Sequence, residues 1–124
     1  MKRRYTFLGL LVLAVAINCS RIPENNDPIL GIWVRSSVES SAPDSQIIQV
    51  KEEWIFNDVY LGRYQVFHNN SLHFYTDYAW ELRGDTYLID YYGTDFPKDS
   101  VQLDNLTDPR QLLMPSGQVF AEKE

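Results

Sequence analysis

Residues 47–56 of this chain read IIQVKEEWIF, and their alternation of apolar and polar side chains decides the fold. One strand face would carry the apolar set and the other the polar set: Ile48, Val50, Trp54 and Phe56 against Gln49, Lys51 and Glu53. Period-2 alternation predicts a strand with one side on a core and the other in water. Glu52 falls on the apolar face, where a carboxylate needs a partner or an open barrel mouth.

Seven further short β-like runs surround this strand, and turn residues separate them. They cover residues 29–38, 59–67, 72–82, 86–92, 101–106, 111–114 and 118–122. No segment has a sustained 3.6-residue period, so helix is limited to a short turn near the start of the domain. Successive hairpins without long crossovers favour an up-and-down arrangement, and closure removes exposed strand edges. We therefore expect an all-β, antiparallel meander of about eight strands that forms a barrel.

The start of the chain differs from the rest. Lys2, Arg3 and Arg4 precede residues 6–17, an uncharged run rich in Leu, Val and Ala. A bilayer-spanning helix needs about 20 apolar residues, so the run is better matched to a signal peptide. The alternative, a buried N-terminal strand or helix, would show a period of 2 or a polar face. We predict an export signal over residues 1–18.

Cys19 is the single cysteine, and it directly follows the apolar run in the sequence Ala16-Ile17-Asn18-Cys19. This arrangement resembles the lipobox of bacterial lipoproteins, in which the cysteine receives a diacylglycerol and becomes the first residue after cleavage. Cleavage elsewhere, which would release the protein, and an incidental cysteine are the alternatives. The resemblance implies a lipid anchor on Cys19 in a bacterial envelope, at the outer membrane on its periplasmic or surface face.

The chain after residue 18 is acidic. Residues 19–28 are polar and contain two prolines, which indicates a tether, and residues 29–124 form the predicted domain. This part carries 8 basic and 17 acidic residues, a net charge of −9. Nucleic acid is excluded as an expected partner, because phosphate backbones are bound by clustered Lys and Arg.

The triplet Gly31-Ile32-Trp33 resembles the G-x-W signature of lipocalins and related calycins. The order of later segments, 54–58, 78–82 and 87–89, is similar to that in small lipocalin-like lipoproteins of Bacteroidetes-type bacteria. This resemblance implies a barrel with Gly31 and Trp33 at the end that Trp33 closes. It also implies an arginine from a late strand packed on that tryptophan, and Arg110 lies in about the right region.

No catalytic or metal-binding arrangement is visible in the sequence. There is no G-x-S-x-G turn, no second cysteine and no metal-spaced His/Cys cluster. His68 and His73 flank a predicted turn and are interpreted as surface residues. Asp90, Asp95 and Asp99 lie around a loop and lack a recognised calcium pattern, so solvated carboxylates are the favoured interpretation. We expect a non-enzymatic protein without metal or cofactor.

Aromatic residues are abundant, with fifteen after residue 18. They could fill a small barrel completely or form a cup for a ligand, and a packed core is the favoured alternative. If a cup exists, we expect it among Trp54, Tyr64, Tyr78 and Trp80. The leading hypothesis is a membrane-anchored barrel that binds a small hydrophobic or amphipathic ligand. The rival is a protein-interaction or inhibitor module with a solid core, whose partner the sequence does not name.

Overall fold

The computed structural model describes residues 25–40 and 47–124. The predicted signal sequence, Cys19 and the tether as far as residue 24 lie outside the described residues. Every regular element in the described ranges is a β-strand. No helix in this part of the chain is long and apolar enough to cross a membrane.

Eight strands form a closed barrel in which each strand pairs with its sequence neighbours. The strands are β1 (Gly31–Ser40), β2 (Ile47–Phe56), β3 (Leu61–His68), β4 (Ser71–Arg83), β5 (Thr86–Asp90), β6 (Asp99–Asp104), β7 (Gln111–Leu113) and β8 (Val119–Lys123). All pairs are antiparallel. The predicted all-β, up-and-down barrel is therefore confirmed, and β2 has the bounds that its alternation predicts.

The seam between β1 and β8 closes the barrel over a short distance. Only Trp33–Lys123 and Val34–Glu122 are paired there, whereas β1 pairs with β2 along all ten of its residues. Beyond Val34, β1 stays paired with β2 but not with β8, and we call this part of the two strands, residues 35–40 and 47–52, the ribbon. β3 pairs with its β2 side as far as Val50, so the ribbon is two-stranded only beyond that residue. The side chain of Arg35 bridges the start of the gap, because its Nη1 donates to the carbonyl of Phe120 at 3.4 Å.

A two-residue turn connects β3 to β4. Asn69 and Asn70 have φ values of 51° and 67°, the left-handed conformation that a type I′ hairpin turn requires. Asparagine tolerates this conformation better than most residues. The turn lies at the barrel end that also carries the β5–β6 loop and the ribbon, which we call the open end.

The barrel interior is filled by aromatic and aliphatic side chains. Trp33, Trp54 and Tyr64 occupy paired positions on three successive strands and so point to the same side. The buried set is Ile29, Trp33, Val50, Trp54, Phe56, Tyr78, Trp80, Tyr87, Ile89, Tyr91, Val101, Leu112, Phe120 and Ala121. Large side chains thus pack the middle of the barrel solid, as in other narrow eight-stranded barrels.

Strand β4 is longer than the core that it covers. Tyr78 and Trp80 are buried, but Leu82 on the same face is 43% exposed. A register shift between Val66 and Phe67 pairs Leu72 with Phe67, which takes Leu72 off this face, and Leu72 is 51% exposed. The two ends of β4 therefore extend past the packed interior, and the bulge interrupts its alternation near the first residues.

The opposite end, which we call the closed end, is covered by the chain that enters β1. Ile29 is fully buried there, and its carbonyl accepts a 2.7 Å hydrogen bond from Nε1 of Trp33. Asp27 fixes the same turn by accepting from the Ile29 amide at 2.9 Å and from the Tyr87 hydroxyl at 2.6 Å. The buried indole N–H is thus satisfied by the turn that covers it.

Two cations lie over the ring of Trp33 at the closed end. The Nζ of Lys123 is 5.2 Å from the ring centroid and the Cζ of Arg110 is 5.9 Å from it, both within cation–π range. The Lys123 ammonium also donates to the carbonyl of Leu30 at 2.7 Å. Gly31 has φ +117°, and a Cβ there would clash with Nζ of Lys123. These contacts place Trp33, Gly31 and Arg110 together at the closed end.

A candidate ligand cup at the open end

The open end contains a cavity of about 210 Å³. We call it the cup, and its lining residues are Arg35, Trp54, Tyr64, Tyr91, Phe96, Pro97 and Asp99. A larger depression of about 330 Å³ lies along the β1–β2 ribbon, but serines and the stems of exposed side chains line most of it. Four aromatic side chains line the cup together with two charged groups, so it is the candidate site.

An ion pair forms one wall of the cup. Arg35 follows Trp33 by two residues and Glu52 precedes Trp54 by two, so both side chains take the inward parity of the tryptophans. The two residues are directly paired across β1 and β2, and Nε of Arg35 donates to Oε2 of Glu52 at 2.6 Å. The partner that the sequence requires for Glu52 is therefore Arg35.

The guanidinium of Arg35 also contacts aromatic rings. Its Cζ lies 5.0 Å from the centroid of the Trp54 ring and 5.2 Å from that of Phe120. Cation–π attraction and the ion pair with Glu52 hold the side chain in one orientation. Arg35 therefore contributes a fixed wall to the cup.

A chain of hydrogen bonds crosses the floor of the cup. Nε1 of Trp54 donates to the Tyr91 hydroxyl at 2.8 Å, and that hydroxyl donates to Oδ2 of Asp99 at 2.6 Å. Trp54 and Tyr91 are only 1% and 4% exposed. Each buried donor thus has an acceptor, and the chain ends on a carboxylate.

The two tyrosines of the cup hold their protons firmly. Burial raises the pKa of Tyr91 well above the ordinary value, and its hydrogen bond to Asp99 raises it further. Burial also raises the pKa of Tyr64, with further contributions from the charge of Glu52 and a hydrogen bond to it. Both phenols are therefore neutral donors at physiological pH, and the Tyr91 hydroxyl donates to the carboxylate of Asp99.

The aromatic walls support each other in tilted and edge-to-face pairs. The Tyr64 ring centroid lies 5.0 Å from that of Trp54, 5.7 Å from that of Tyr91 and 6.5 Å from that of Phe96. Phe96, in the loop between β5 and β6, is 46% exposed and forms the rim. The floor is therefore buried and rigidly packed, whereas the rim contacts water.

The four predicted ligand residues occupy two different levels of the barrel. Trp54 and Tyr64 line the cup. Tyr78 is fully buried and donates from its hydroxyl to the Ile55 carbonyl at 2.8 Å. Trp80 is buried nearer the closed end, where its indole donates to carbonyls of the β2–β3 turn region. The structure thus brings the first two together at the cup and places the other two in the packed interior.

Five residues that line the cup are absent from the predicted ligand set: Arg35, Tyr91, Phe96, Pro97 and Asp99. Arg35 could have been found, because its inward parity places a cation opposite Glu52 in the predicted hairpin. Tyr91 and Asp99 flank the β5–β6 loop, and their contact depends on how that loop folds back. No local pattern in the sequence encodes that contact.

The metal sites considered from the sequence have other structural roles. In the described ranges no group of three or more His, Cys, Asp or Glu side chains is arranged to hold a metal ion. Asp99 accepts from Tyr91, and the Asp90 carboxylate lies 3.9 Å from the ammonium of Lys98. His68 and His73 stack on each other at 3.9 Å beside the β3–β4 turn.

Comparison with known proteins does not assign the chain to a family. No family model matches the chain, and no curated protein or solved structure matches it. The lipocalin-like resemblance of Gly31-Ile32-Trp33 therefore stays a prediction. The candidate site rests on the contacts within the barrel.

Proposed function

We propose that this protein is a lipid-anchored β-barrel of the bacterial cell envelope that binds a small amphipathic ligand and catalyses no reaction. The cup carries the proposal. It combines a buried aromatic floor with converging polar groups, the usual construction of a small-molecule site. Its side chains are already held by hydrogen bonds and ring packing, which lowers the entropy cost of binding.

The size of the cup limits the ligand. Pockets for drug-sized molecules usually measure about 300–1,000 Å³, whereas the cup measures about 210 Å³. Below its floor, Trp33, Tyr78 and Trp80 fill the interior. A long acyl chain has no space inside this barrel, so the ligand is a small molecule or the terminal group of a larger one.

The chemistry of the cup favours binding over catalysis. Tyr64 and Tyr91 have raised pKa values and are poor proton acceptors at neutral pH. The Glu52 carboxylate is engaged by Arg35, and the Asp99 carboxylate accepts from Tyr91. These groups stabilise each other, and we propose that they position a ligand without transforming it.

The described chain starts at the closed end, which supports the proposed anchor geometry. Asn25 donates to the carbonyl of Asp58 in the β2–β3 turn, and β1 begins nearby at Gly31. A tether that joins residue 25 therefore reaches the barrel at the end opposite the cup. An anchor on Cys19 would leave the cup free to collect ligand from the aqueous side.

Native mass spectrometry of the full chain, gently extracted from bacterial membranes, tests ligand binding. We expect a co-purifying small molecule that is depleted in Tyr64→Ala and retained in Tyr75→Ala, its control on the outer surface. A preparation that carries no small molecule but repeatedly contains one protein partner, unaffected by Tyr64→Ala, would contradict the proposal.

A second experiment tests the anchor independently. Cys19→Ala should move the protein out of the membrane fraction, and its mass should lack the diacylglycerol and acyl additions. Cys19→Ser, which preserves side-chain size, should behave in the same way. Retention of either variant in the membrane with unchanged mass would exclude lipidation at this residue.

The ribbon favours a second candidate function, a protein-interaction module. Val38 and Ile47 near its tip are 65% and 66% exposed. The β1 edge beyond Val34 also lacks pairing with β8 within the described residues. Apolar side chains beside an unpaired edge suit strand addition by a partner. Val38→Lys would abolish such an association and leave ligand binding in the cup intact.

A further inference from the structure

We infer that the cup selects an organic cation, with an ammonium group directed at Asp99, over neutral or anionic ligands of the same shape. The inference rests on the proposed function, because it assigns a chemical class to the ligand of the cup. Three features of the cup support it: the donors that protein acceptors already occupy, the charges around the cavity and the aromatic lining.

The donors of Arg35 are directed at protein acceptors. Its Nε donates to Glu52, and its Nη2 forms a salt bridge with the same carboxylate. Its Nη1 donates to the Phe120 carbonyl. A ligand carboxylate or phosphate would have to compete with Glu52 for this guanidinium, so Arg35 is a weak anion receptor.

Two of the three aromatic donors in the cup are used in the same way. Trp54 donates to Tyr91 and Tyr91 donates to Asp99. The Tyr64 phenol stays protonated, because burial and the charge of Glu52 raise its pKa. The ligand therefore meets a surface on which the Trp54 indole and the Tyr91 hydroxyl are already satisfied, and the Tyr64 hydroxyl is the remaining aromatic donor.

Acceptor capacity remains at Asp99. Tyr91 bonds to its Oδ2, and a carboxylate has further lone pairs on both oxygens. Among the described residues no Lys or Arg lies within salt-bridge distance of Asp99. Arg35 is paired with Glu52 beside the cavity, so its charge is offset there and the carboxylate of Asp99 is the lining charge without a cationic partner in the described part of the chain.

The aromatic lining adds a second attraction for cations. Ring faces carry negative electrostatic potential, and Arg35 already occupies those of Trp54 and Phe120. Tyr64 and Phe96 also line the cavity, close to Asp99. An ammonium at Asp99 would therefore satisfy the carboxylate while its carbon substituents pack against these rings.

Three probes of one shape test this inference: benzylammonium, benzyl alcohol and benzoate. The full chain, labelled with 5-fluorotryptophan and kept in detergent, reports binding through the ¹⁹F resonance of Trp54, with Trp33 as internal reference. We expect benzylammonium to bind at least about tenfold more tightly than benzyl alcohol, as a charge-assisted hydrogen bond predicts, and benzoate most weakly.

Asp99→Asn retains an acceptor for Tyr91 and removes the charge. It should weaken benzylammonium binding about tenfold and leave benzyl alcohol binding unchanged. Asp90→Asn, which makes the same change outside the cup beside Lys98, should alter neither. An unshifted Trp33 resonance in both variants would show that the barrel remains folded.

The results distinguish failure of the cation inference from failure of the proposed ligand-binding function. Equal or tighter binding of benzyl alcohol or benzoate at Trp54 overturns the cation inference and leaves a ligand-binding cup. No response of the Trp54 resonance to any probe, up to the solubility limit of that probe, overturns both the cation inference and the ligand-binding cup.

Phosphoethanolamine tests a lipid headgroup as the source of the ammonium. We expect it to bind more weakly than benzylammonium, because its phosphate meets the acidic cup, and tighter binding would overturn the assignment to free amines.

Discussion

The two ends of the barrel are built from the same kinds of group and differ in what those groups contact. At the closed end, Lys123 and Arg110 lie over Trp33 and donate to backbone carbonyls. At the open end, Arg35 lies over Trp54 and donates to the carboxylate of Glu52. A tryptophan under a cation is thus part of a seal at one end and part of a cavity at the other.

The covering segment accounts for this difference. The turn before β1 inserts Ile29 into the closed end and supplies a carbonyl to the Trp33 indole. At the open end, the indole of Trp54 is satisfied by Tyr91, and Phe96 stays at the rim without covering the centre. A local chain insertion seals an end, whereas a side-chain network leaves space for a ligand.

The largest expected effect is on stability at high pH, and it involves tyrosines at both ends. Burial raises the pKa of Tyr78, Tyr87 and Tyr91 above the ordinary value of 10. The folded state therefore keeps protons that the unfolded chain loses, and stability falls as the pH rises above about 10. Each such tyrosine lowers the free energy of unfolding by about 1.4 kcal/mol per pH unit between its unfolded and folded pKa values.

Urea unfolding measured together with tyrosinate absorbance checks this pH dependence. Lys123 acts in the opposite direction, because burial and Arg110 lower its pKa, but it is one group against several. Tyr78→Phe should reduce the slope of stability against pH. A free energy of unfolding that stays constant well above pH 10 would contradict these tyrosine environments.

Trp33→Ala should be the most damaging single substitution at the closed end. It removes a fully buried indole and the surface on which two cations rest, at a cost of about 3–5 kcal/mol. Chemical denaturation of the full chain measures the loss. Tyr92→Ala, at a side chain that is 60% exposed, is the control and should change stability by less than about 0.5 kcal/mol. Similar costs for the two variants would refute the sealing role.

Breaking the ion pair of the open end should cost less. Arg35→Met or Glu52→Gln should each lose about 2 kcal/mol, below the value for a fully buried pair because both side chains contact solvent. The double variant should lose less than the sum, since neither partner is then left unpaired. Strict additivity in this double-mutant cycle would show that the two side chains do not interact.

The smallest expected change in stability comes from removing one tyrosine hydroxyl at each end of the barrel. Tyr91→Phe and Tyr87→Phe both remove a 2.6 Å hydrogen bond to an aspartate, at about 1.5 kcal/mol each. Tyr91→Phe also leaves the buried N–H of Trp54 without its acceptor, so it should be the more costly by a few tenths of a kcal/mol or more. Equal thermal and urea stabilities would mean that water replaces the hydroxyl at Trp54.

Much of the fold follows from local pattern. The alternation in IIQVKEEWIF gives β2 its bounds and its inward face, because side chains of a strand alternate between two sides. Gly and Asn at the turns, together with short connections, predict sequential hairpins. The Asn69-Asn70 turn fixes the pairs His68–Ser71 and Phe67–Leu72, and a bulge then shifts the register over the rest of β3 and β4. These features depend on residues near each other in sequence.

The candidate site follows from the sequence only in part. Trp54 and Tyr64 meet because directly paired residues on adjacent strands share a face. Tyr78 and Trp80 share that inward face as well, but their level along the barrel axis places them below the cup. Parity identifies the side of a strand, whereas depth within a barrel depends on strand stagger and on the segments that cover each end.

By itself, the sequence determined the eight strands, their order and the inward face of β2, since turn chemistry and period-2 alternation are local properties. The tertiary structure alone decided that Tyr91 joins Trp54 to Asp99 and so builds the floor of the cup. That outcome depends on contacts between residues 37 and 8 positions apart, which form only when the β5–β6 loop folds back over the closed barrel.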